Sequence, residues 1–327
     1  MDIKIDKTAS DQRFDRFLRK WFKKYPQVRL ADIYSAIRKW LIKVNDKRVK
    51  EQYRLLVGDI VQINEKVQMG SEDLSILISQ KDRKLEKVDI KKLKQQILYE
   101  DTHRIVFDKP AGIPMHPWNK HRNDLSMHDY LDKYAEEYKT STFKPSFGYR
   151  LDRDTSGVLI AAKSYEALQY INSIIRERDI DKYYLALVAG KFPRYLMINK
   201  PIAKSYNKTS DRSQVTIDYD EGLEARTECW LEKFIQHPEL GPVSLLKIKI
   251  HTWRMHQIRV HVTSEWFPVL GDIIYGNPAA NKILYKSLGI NRQLLHCRQY
   301  SFFDPFQKDQ VIFEASIPAD FEKVLKK

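Results

Sequence analysis

Cysteine is nearly absent from this chain. Its 327 residues hold two, Cys229 and Cys297, far apart and in no Cys-x-x-Cys pair. That argues against a disulfide-stapled scaffold and against a cysteine zinc site, and it fits a reducing, cytoplasmic setting. No apolar run reaches the length of a membrane span. The opening Met-Asp-Ile-Lys-Ile-Asp-Lys has no apolar stretch of signal-peptide type. Glycine is scarce, 11 residues, and none of it forms a Gly-rich phosphate loop. His256 and His261 are five residues apart, off a common helical face, and no cysteine or carboxylate pattern joins them. Neither a cofactor nor a metal is therefore expected.

What the chain has in excess is positive charge. Its 57 Lys and Arg against 43 Asp and Glu give a formal net charge of +14. Such an excess points to a polyanion, because each phosphate neutralised releases counterions. The distribution sharpens this. Residues 1–64 hold 16 basic and 8 acidic side chains, so +8 of the +14 sits in that short stretch. The length suits one small and one large domain.

Residues 11–24 read as a basic amphipathic helix. Phe14, Phe17, Leu18 and Trp21 recur at helical spacing, and Arg13, Arg16, Arg19, Lys20, Lys23 and Lys24 fill much of the remainder before Pro26 ends it. A second helix is expected over 30–40. Two short strands, 42–44 and 48–50, follow around an Asn45-Asp46 turn, and another covers 60–63. Residues 65–95 are charge-rich and read as a linker with one strand at 74–78. From residue 96 to 327 short strands dominate, at 104–107, 158–162, 183–188, 214–219, 228–234 and 244–250, with a helix over 165–176. This pattern predicts an α+β protein whose larger domain is a mainly antiparallel sheet with flanking helices.

The run from Tyr149 to Lys163 is the most informative. Asp152 lies between Arg150 and Arg153, ahead of Asp154-Thr155-Ser156-Gly157 and an apolar strand. A carboxylate among guanidinium groups stays ionised, and an ionised, positioned carboxylate can act as a nucleophile. The same residues also suit an ordinary solvated turn. Asp154-Thr155-Ser156-Gly157 echoes aspartic proteases, but that chemistry needs two carboxylates sharing a proton, and no second copy occurs.

Arg150-Leu151-Asp152 followed by Thr155-Ser156-Gly157 resembles the His-Arg-Leu-Asp-x-x-Thr-Ser-Gly signature of RluA-type pseudouridine synthases. Further motifs follow in the family's order. Lys182-Tyr183-Tyr184-Leu185-Ala186 resembles Lys-x-Tyr-x-Ala. Thr252-Trp253-Arg254-Met255-His256-Gln257-Ile258-Arg259-Val260-His261 resembles Thr-Gly-Arg-x-His-Gln-Ile-Arg-Val-His. Pro268-Val269-Leu270-Gly271-Asp272 and Tyr275-Gly276 match two more. The chain departs at Tyr149, where the family has His, and at Trp253, where it has Gly. The resemblance implies that Asp152 is the catalytic residue, that Arg259 pairs with it, and that Tyr184 stacks on the base. Arg150, Arg254 and Gln257 would contact the substrate.

The first 64 residues resemble the S-four type (alpha-L) RNA-binding domain, on Arg13-Phe14-Asp15-Arg16-Phe17-Leu18, Val44-Asn45-Asp46-Lys47-Arg48-Val49 and Leu56-Val57-Gly58-Asp59-Ile60-Val61. Arg16, Arg19, Lys20, Arg38, Lys47 and Arg48 would then meet RNA. The implied activity is isomerisation of uridines on flipped-out bases, in large-subunit ribosomal RNA more than transfer RNA, by a cofactor-free monomer. The rival within the same fold is an RNA-binding protein without catalysis.

Overall fold

The computed structural model describes residues 1–326 except 24, 26–27, 70–71, 76–87, 117–123, 141–142 and 206–213. The expected helix stop at Pro26, most of the 74–78 strand and the charged run 81–87 lie outside the described residues.

The N-terminal region and the body have separate hydrophobic cores. The first joins Phe14, Phe17, Leu18 and Phe22 of the helix Phe14–Phe22 to Ile33, Ala36 and Ile37 of the helix Leu30–Arg38. The aromatic stripe of the first helix is thus packing surface, and its basic residues face solvent. Both helices lie on a three-stranded antiparallel sheet in the order Asp2–Lys4, Ile60–Ile63, Ile42–Val44.

That sheet corrects the expected hairpin. Asn45 and Asp46 make the turn, with φ of 50° and 61°, but only a Val44–Lys47 bridge closes it, and 48–50 form no strand. The partner of Ile42–Val44 is Ile60–Ile63. Their register sets Ile42 opposite Ile63 and Val44 opposite Val61, which buries four apolar side chains. Arg48-Val49-Lys50 offers one apolar residue against that, and strand register follows the buried face. Asp59 fixes the arrangement by accepting from the Leu56 N–H, the Asn45 amide and the Tyr53 hydroxyl.

The boundary at 64 moves as well. Val67, Met69 and Leu74 are buried in this first core, so residues beyond 64 belong to it and are not linker. At the other end the helix Ile90–Lys94, capped by Asp89, sends Leu93 into the second core, which therefore begins ahead of residue 96. Single apolar residues inside charged runs carry both extensions, too sparse a pattern to read as periodicity.

The body is a ten-stranded sheet. Its main path runs Tyr195–Asn199, Arg226–His237, Gly241–Ile250, Asp181–Ala189, Leu295–Asp304, Ser156–Ala162, Arg104–Lys109, Ile97–Glu100. Asp309–Glu314 adds to Leu295–Asp304, and Ser146–Phe147 to Ser156–Ala162. Every pairing is antiparallel except Leu295–Asp304 with Ser156–Ala162. The fold is α+β, mainly antiparallel, with flanking helices. Asp181–Ala189 shows why the sheet is covered on both faces. Tyr184, Ala186 and Val188 point into the main core, while Leu185 and Leu187 pack with Leu284 and Phe321 from the helices Pro278–Leu288 and Ala319–Leu325.

The helix expected over 165–176 spans Tyr165–Glu177, with Ser164 accepting from the Ala167 N–H as its cap. The strand expected over 214–219 stops at Ile217, because Asp218 turns its carboxylate onto the N–H groups of Asp220 and Glu221. Among the described residues no helix is long and apolar enough to cross a membrane.

Candidate active site

The loop 150–155 enters the sheet at Ser156–Ala162, and the residues beneath hold it rigidly. Gly157 makes the seat possible. Its φ is +110°, and a Cβ there would lie 2.1 Å from the Cys297 carbonyl oxygen of the neighbouring parallel strand. Lys109 is buried below the loop. Its Nζ donates to the carbonyls of Pro110, Arg153 and Thr155, each at 2.9 Å, and burial pulls its pKa down to about 7. Gln293 donates to the Thr155 hydroxyl at 2.8 Å, and the Thr155 N–H closes a turn onto the Asp152 carbonyl. The Asp152 carboxylate is left 30% exposed, facing a cleft of about 500 Å³.

Arg259 reaches the cleft from the helix Gln257–Ser264. Its Nη1 donates to Asp152 Oδ2 at 2.9 Å. The bidentate fork, however, goes elsewhere: Nε and Nη2 donate to the two oxygens of Asp272 at 2.6 and 2.9 Å. Arg259 thus meets Asp152 through a single bond, and Asp272 aims the guanidinium. Asp272 also accepts from the N–H groups of Ile274 and Tyr275. Burial alone would raise its carboxyl pKa; the Arg259 contacts and these bonds outweigh that and hold it low. Burial works against the Arg259 charge too, and the two carboxylates raise its pKa all the same. Asp272 was legible only as a matched Gly-Asp, with nothing local to tell its purpose.

His256 Nε2 stands 3.8 Å from Asp152, and its Nδ1 shares a 2.9 Å hydrogen bond with the Tyr275 hydroxyl. Burial lowers its pKa, so the imidazole is held toward its neutral form and Arg259 is the cation at Asp152. His261, the other half of the weighed metal pair, spends Nδ1 on the Thr227 hydroxyl and Nε2 on the Lys200 carbonyl.

Tyr184 lines the cleft and is 7% exposed. Burial pushes its hydroxyl well above the usual tyrosine range, so it keeps its proton. Arg150 is exposed at the rim, and Arg254 braces there through a 3.0 Å bond to the Glu224 carbonyl. Gln257 lines the cleft but differs from expectation. Its oxygen accepts from the Thr252 hydroxyl and the Arg254 N–H, and its nitrogen donates to the Arg226 carbonyl and the Thr227 hydroxyl. Its amide is fully used in folding the 252–257 turn. Asp154 is not among the residues lining the cleft; its carboxylate sits 3.9 Å from Arg153.

The six basic residues singled out near the N-terminus lie in the other core's region. Arg16, Arg19, Lys20, Arg38, Lys47 and Arg48 are all exposed. Arg19 pairs with Asp15 at 3.2 Å, and Arg48 lies over the Trp40 ring. They form no part of the cleft.

The geometry has counterparts in known proteins. The family model described as RNA pseudouridylate synthase matches residues 103–264, which include the Asp152 loop, Tyr184 and Arg259. A ribosomal large subunit pseudouridine synthase C of Buchnera aphidicola subsp. Baizongia pistaciae is 31% identical over 334 residues, covering 99% of this chain and 96% of that one. The chain belongs to the RNA pseudouridylate synthase family. A synthase C of Vibrio parahaemolyticus is likewise 31% identical, over 99% of this chain and 95% of its own. Among solved structures, human RNA pseudouridylate synthase domain containing 4 shares the fold, with a TM-score of 0.56 and 21% identity over 76% of this chain and 97% of that one. As a member of this family the protein is an isomerase that acts on RNA.

Proposed function

We propose that this pseudouridine synthase modifies uridines of large-subunit ribosomal RNA in the cytoplasm, with Asp152 as the reacting carboxylate. The observation that carries the reading is the Arg259–Asp152 contact. A guanidinium aimed by Asp272 keeps engaged one oxygen of a carboxylate that is partly exposed and lines the cleft. A nucleophile must be ionised and positioned, and this arrangement supplies both conditions. The target base must leave its stack to reach Asp152. Tyr184 offers a ring to stack on it, and Arg150 and Arg254 hold the flanking RNA at the rim. The target class is supported by relatives named for the large ribosomal subunit, 31% identical over nearly their whole length.

The region up to residue 75 would bind RNA phosphates through its exposed lysines and arginines. The test is Asp152→Asn assayed on large-subunit ribosomal RNA transcripts by mapping pseudouridine. Modification should vanish while RNA affinity and thermal stability stay near those of the parent. Near-normal turnover by this variant would sink the assignment of Asp152, and no modification by the parent protein would favour the non-catalytic rival.

A further inference from the structure

Lys182 lies two residues before Tyr184, on the same face of the strand Asp181–Ala189, and lines the same cleft. It is 2% exposed. Among the described residues its ammonium has no carboxylate and no hydrogen-bond acceptor. Three rings surround it: Trp253 at 4.3 Å, Tyr149 at 4.6 Å and Tyr300 at 4.9 Å from Nζ to the ring centres. Ring faces attract a cation, but they repay only part of the cost of taking a lysine out of water. Burial accordingly drags its pKa down to about 7.

Two of the rings around it carry polar atoms buried without a partner, Trp253 and Tyr300. Trp253 also lines the cleft, and its indole Nε1 is buried without a partner. Buried donors are nearly always paired, and two unpaired ones in one cleft, the Trp253 indole and the Tyr300 hydroxyl, call for an acceptor that arrives with the substrate. Two of the three rings, Tyr149 and Trp253, stand where the sequence departs from the motifs it otherwise follows, at His and Gly. Both departures fall on one lysine.

We propose that Lys182, caged by Tyr149, Trp253 and Tyr300, forms an oxyanion site that donates to a carbonyl oxygen of the flipped uracil and stabilises the uracilate formed when the glycosidic bond breaks. The inference rests on the reading of the cleft as the pseudouridine-forming site. As an Asp152 oxygen bonds to C1′, the C1′–N1 electron pair leaves with the base, and the charge spreads over N1, O2 and O4. When the base rejoins through C5, that carbon gives its pair to the new C5–C1′ bond, and the C1′–O pair returns to the Asp152 carboxylate. C5 then loses its proton, and N1 gains one. Nothing is consumed overall. Lys182 in its protonated form donates without giving up a proton and places positive charge where negative charge develops, the arrangement that oxyanion sites use.

The experiment compares Lys182→Met, Trp253→Phe and Asp152→Asn in the full chain, on RNA carrying uridine or 5-fluorouridine at the target. Single-turnover rates at saturating RNA, RNA affinity and thermal unfolding are measured for each. Fluorine at C5 withdraws electrons and makes the departing base a more stable anion, so it needs the oxyanion site less. Lys182→Met is expected to slow uridine by about 100-fold. The defect should shrink on cleavage of 5-fluorouridine, and RNA affinity should change by less than about threefold. Its melting temperature should rise, because an unpaired buried charge is replaced by an apolar side chain of similar shape. Trp253→Phe keeps the ring and loses only the indole donor; its smaller defect should show the same dependence on the leaving group.

Equal defects on the two substrates, an unchanged rate, or a Lys182→Met chain that melts lower or does not fold would overturn the proposal and make Lys182 a structural residue. Loss of activity in Asp152→Asn alongside such a result would leave the reading of the cleft standing. An active Asp152→Asn would remove that reading itself.

Discussion

In the first 75 residues Arg16, Lys20, Arg38 and Lys47 stand in solvent, whereas in the body Lys109, Lys182 and Arg259 are almost wholly buried. The same residue types do different physical work in the two places. Exposed cations act on a polyanion by number, through released counterions, and each contributes modestly. Buried cations act by position, and each must be matched by a carboxylate, by carbonyls or by the substrate. Arg259 has two carboxylates, Lys109 has three carbonyls, and Lys182 has only rings. Net charge, which drew attention to the N-terminus, says little about the cleft.

The comparison breaks first if a buried pair behaves like an exposed one. Asp272→Asn keeps the shape of the side chain and removes the charge that aims Arg259. Removing one partner of a buried pair costs roughly 3–5 kcal/mol. The expected outcome is a loss of stability of that order, together with a fall in turnover of about 100-fold as Arg259 loses its aim. Arg259→Lys should fail similarly, since one ammonium cannot hold Asp152 and Asp272 in a planar fork. The control is Asp11→Asn, which removes the exposed ion pair of Asp11 with Arg54 in the N-terminal region. It should cost no more than about 0.5 kcal/mol and no activity. Urea unfolding and turnover of both variants check this; similar effects of Asp272→Asn and Asp11→Asn would erase the distinction.

Acid sharpens the comparison. All nine histidines lie after residue 102, so the N-terminal region has none to titrate. Burial pulls His128 and His296 down to about 4. An unfolded histidine titrates near 6.5. Between those values the unfolded chain binds protons that the folded chain does not. Stability is therefore fully present above about 6.5 and falls as pH drops toward 4, by roughly 1.4 kcal/mol per pH unit for each histidine. Thermal unfolding of the whole protein from pH 7 to 5 should show the melting temperature falling, and His296→Gln should flatten the slope. Hydrogen exchange, compared at matched intrinsic rates, should place the loss in the ten-stranded body and leave the region up to 75 little changed.

How far the sequence reached follows the same division. The sheet strands were legible because their apolar residues are contiguous or alternate, as in Ser156–Ala162 and Gly241–Ile250. Asp152, Tyr184 and Arg259 were legible through motifs, and the structure brings all three to one cleft. Asp272, Lys109 and Lys182 were not legible as parts of it. Their work depends on partners 13 residues away for Asp272 and Arg259, or 44 and 46 for the carbonyls held by Lys109, and local pattern carries no trace of that. The hydrogen bonds of Gln257 were not legible, because an amide inside a motif reads the same whether it faces a ligand or its own backbone. The strand opposite Ile42–Val44 was misassigned because the Asn45-Asp46 turn signals a hairpin, while burial of Val61 and Ile63 decided the pairing.

The smallest effects should come from the exposed cations, and only together. Replacing Arg16, Lys20, Arg38 and Lys47 with Gln in the full chain removes four positive charges without touching either core. Each phosphate that is no longer neutralised should flatten the plot of log affinity against log salt by about 0.7 to 0.9. Four such phosphates would lower the slope by about three, and any residue that meets no phosphate reduces that figure. Affinity should fall most at low salt, while turnover at saturating RNA stays at the parent's value, because binding and chemistry are served by different charges. Each single variant should change affinity by only a few-fold. A slope that does not move in the quadruple variant would mean that this face meets no RNA phosphates. A fall in turnover at saturating RNA would mean that the N-terminal region also orients the target at the cleft, and the contrast between charge by number and charge by position would no longer divide the molecule at residue 75.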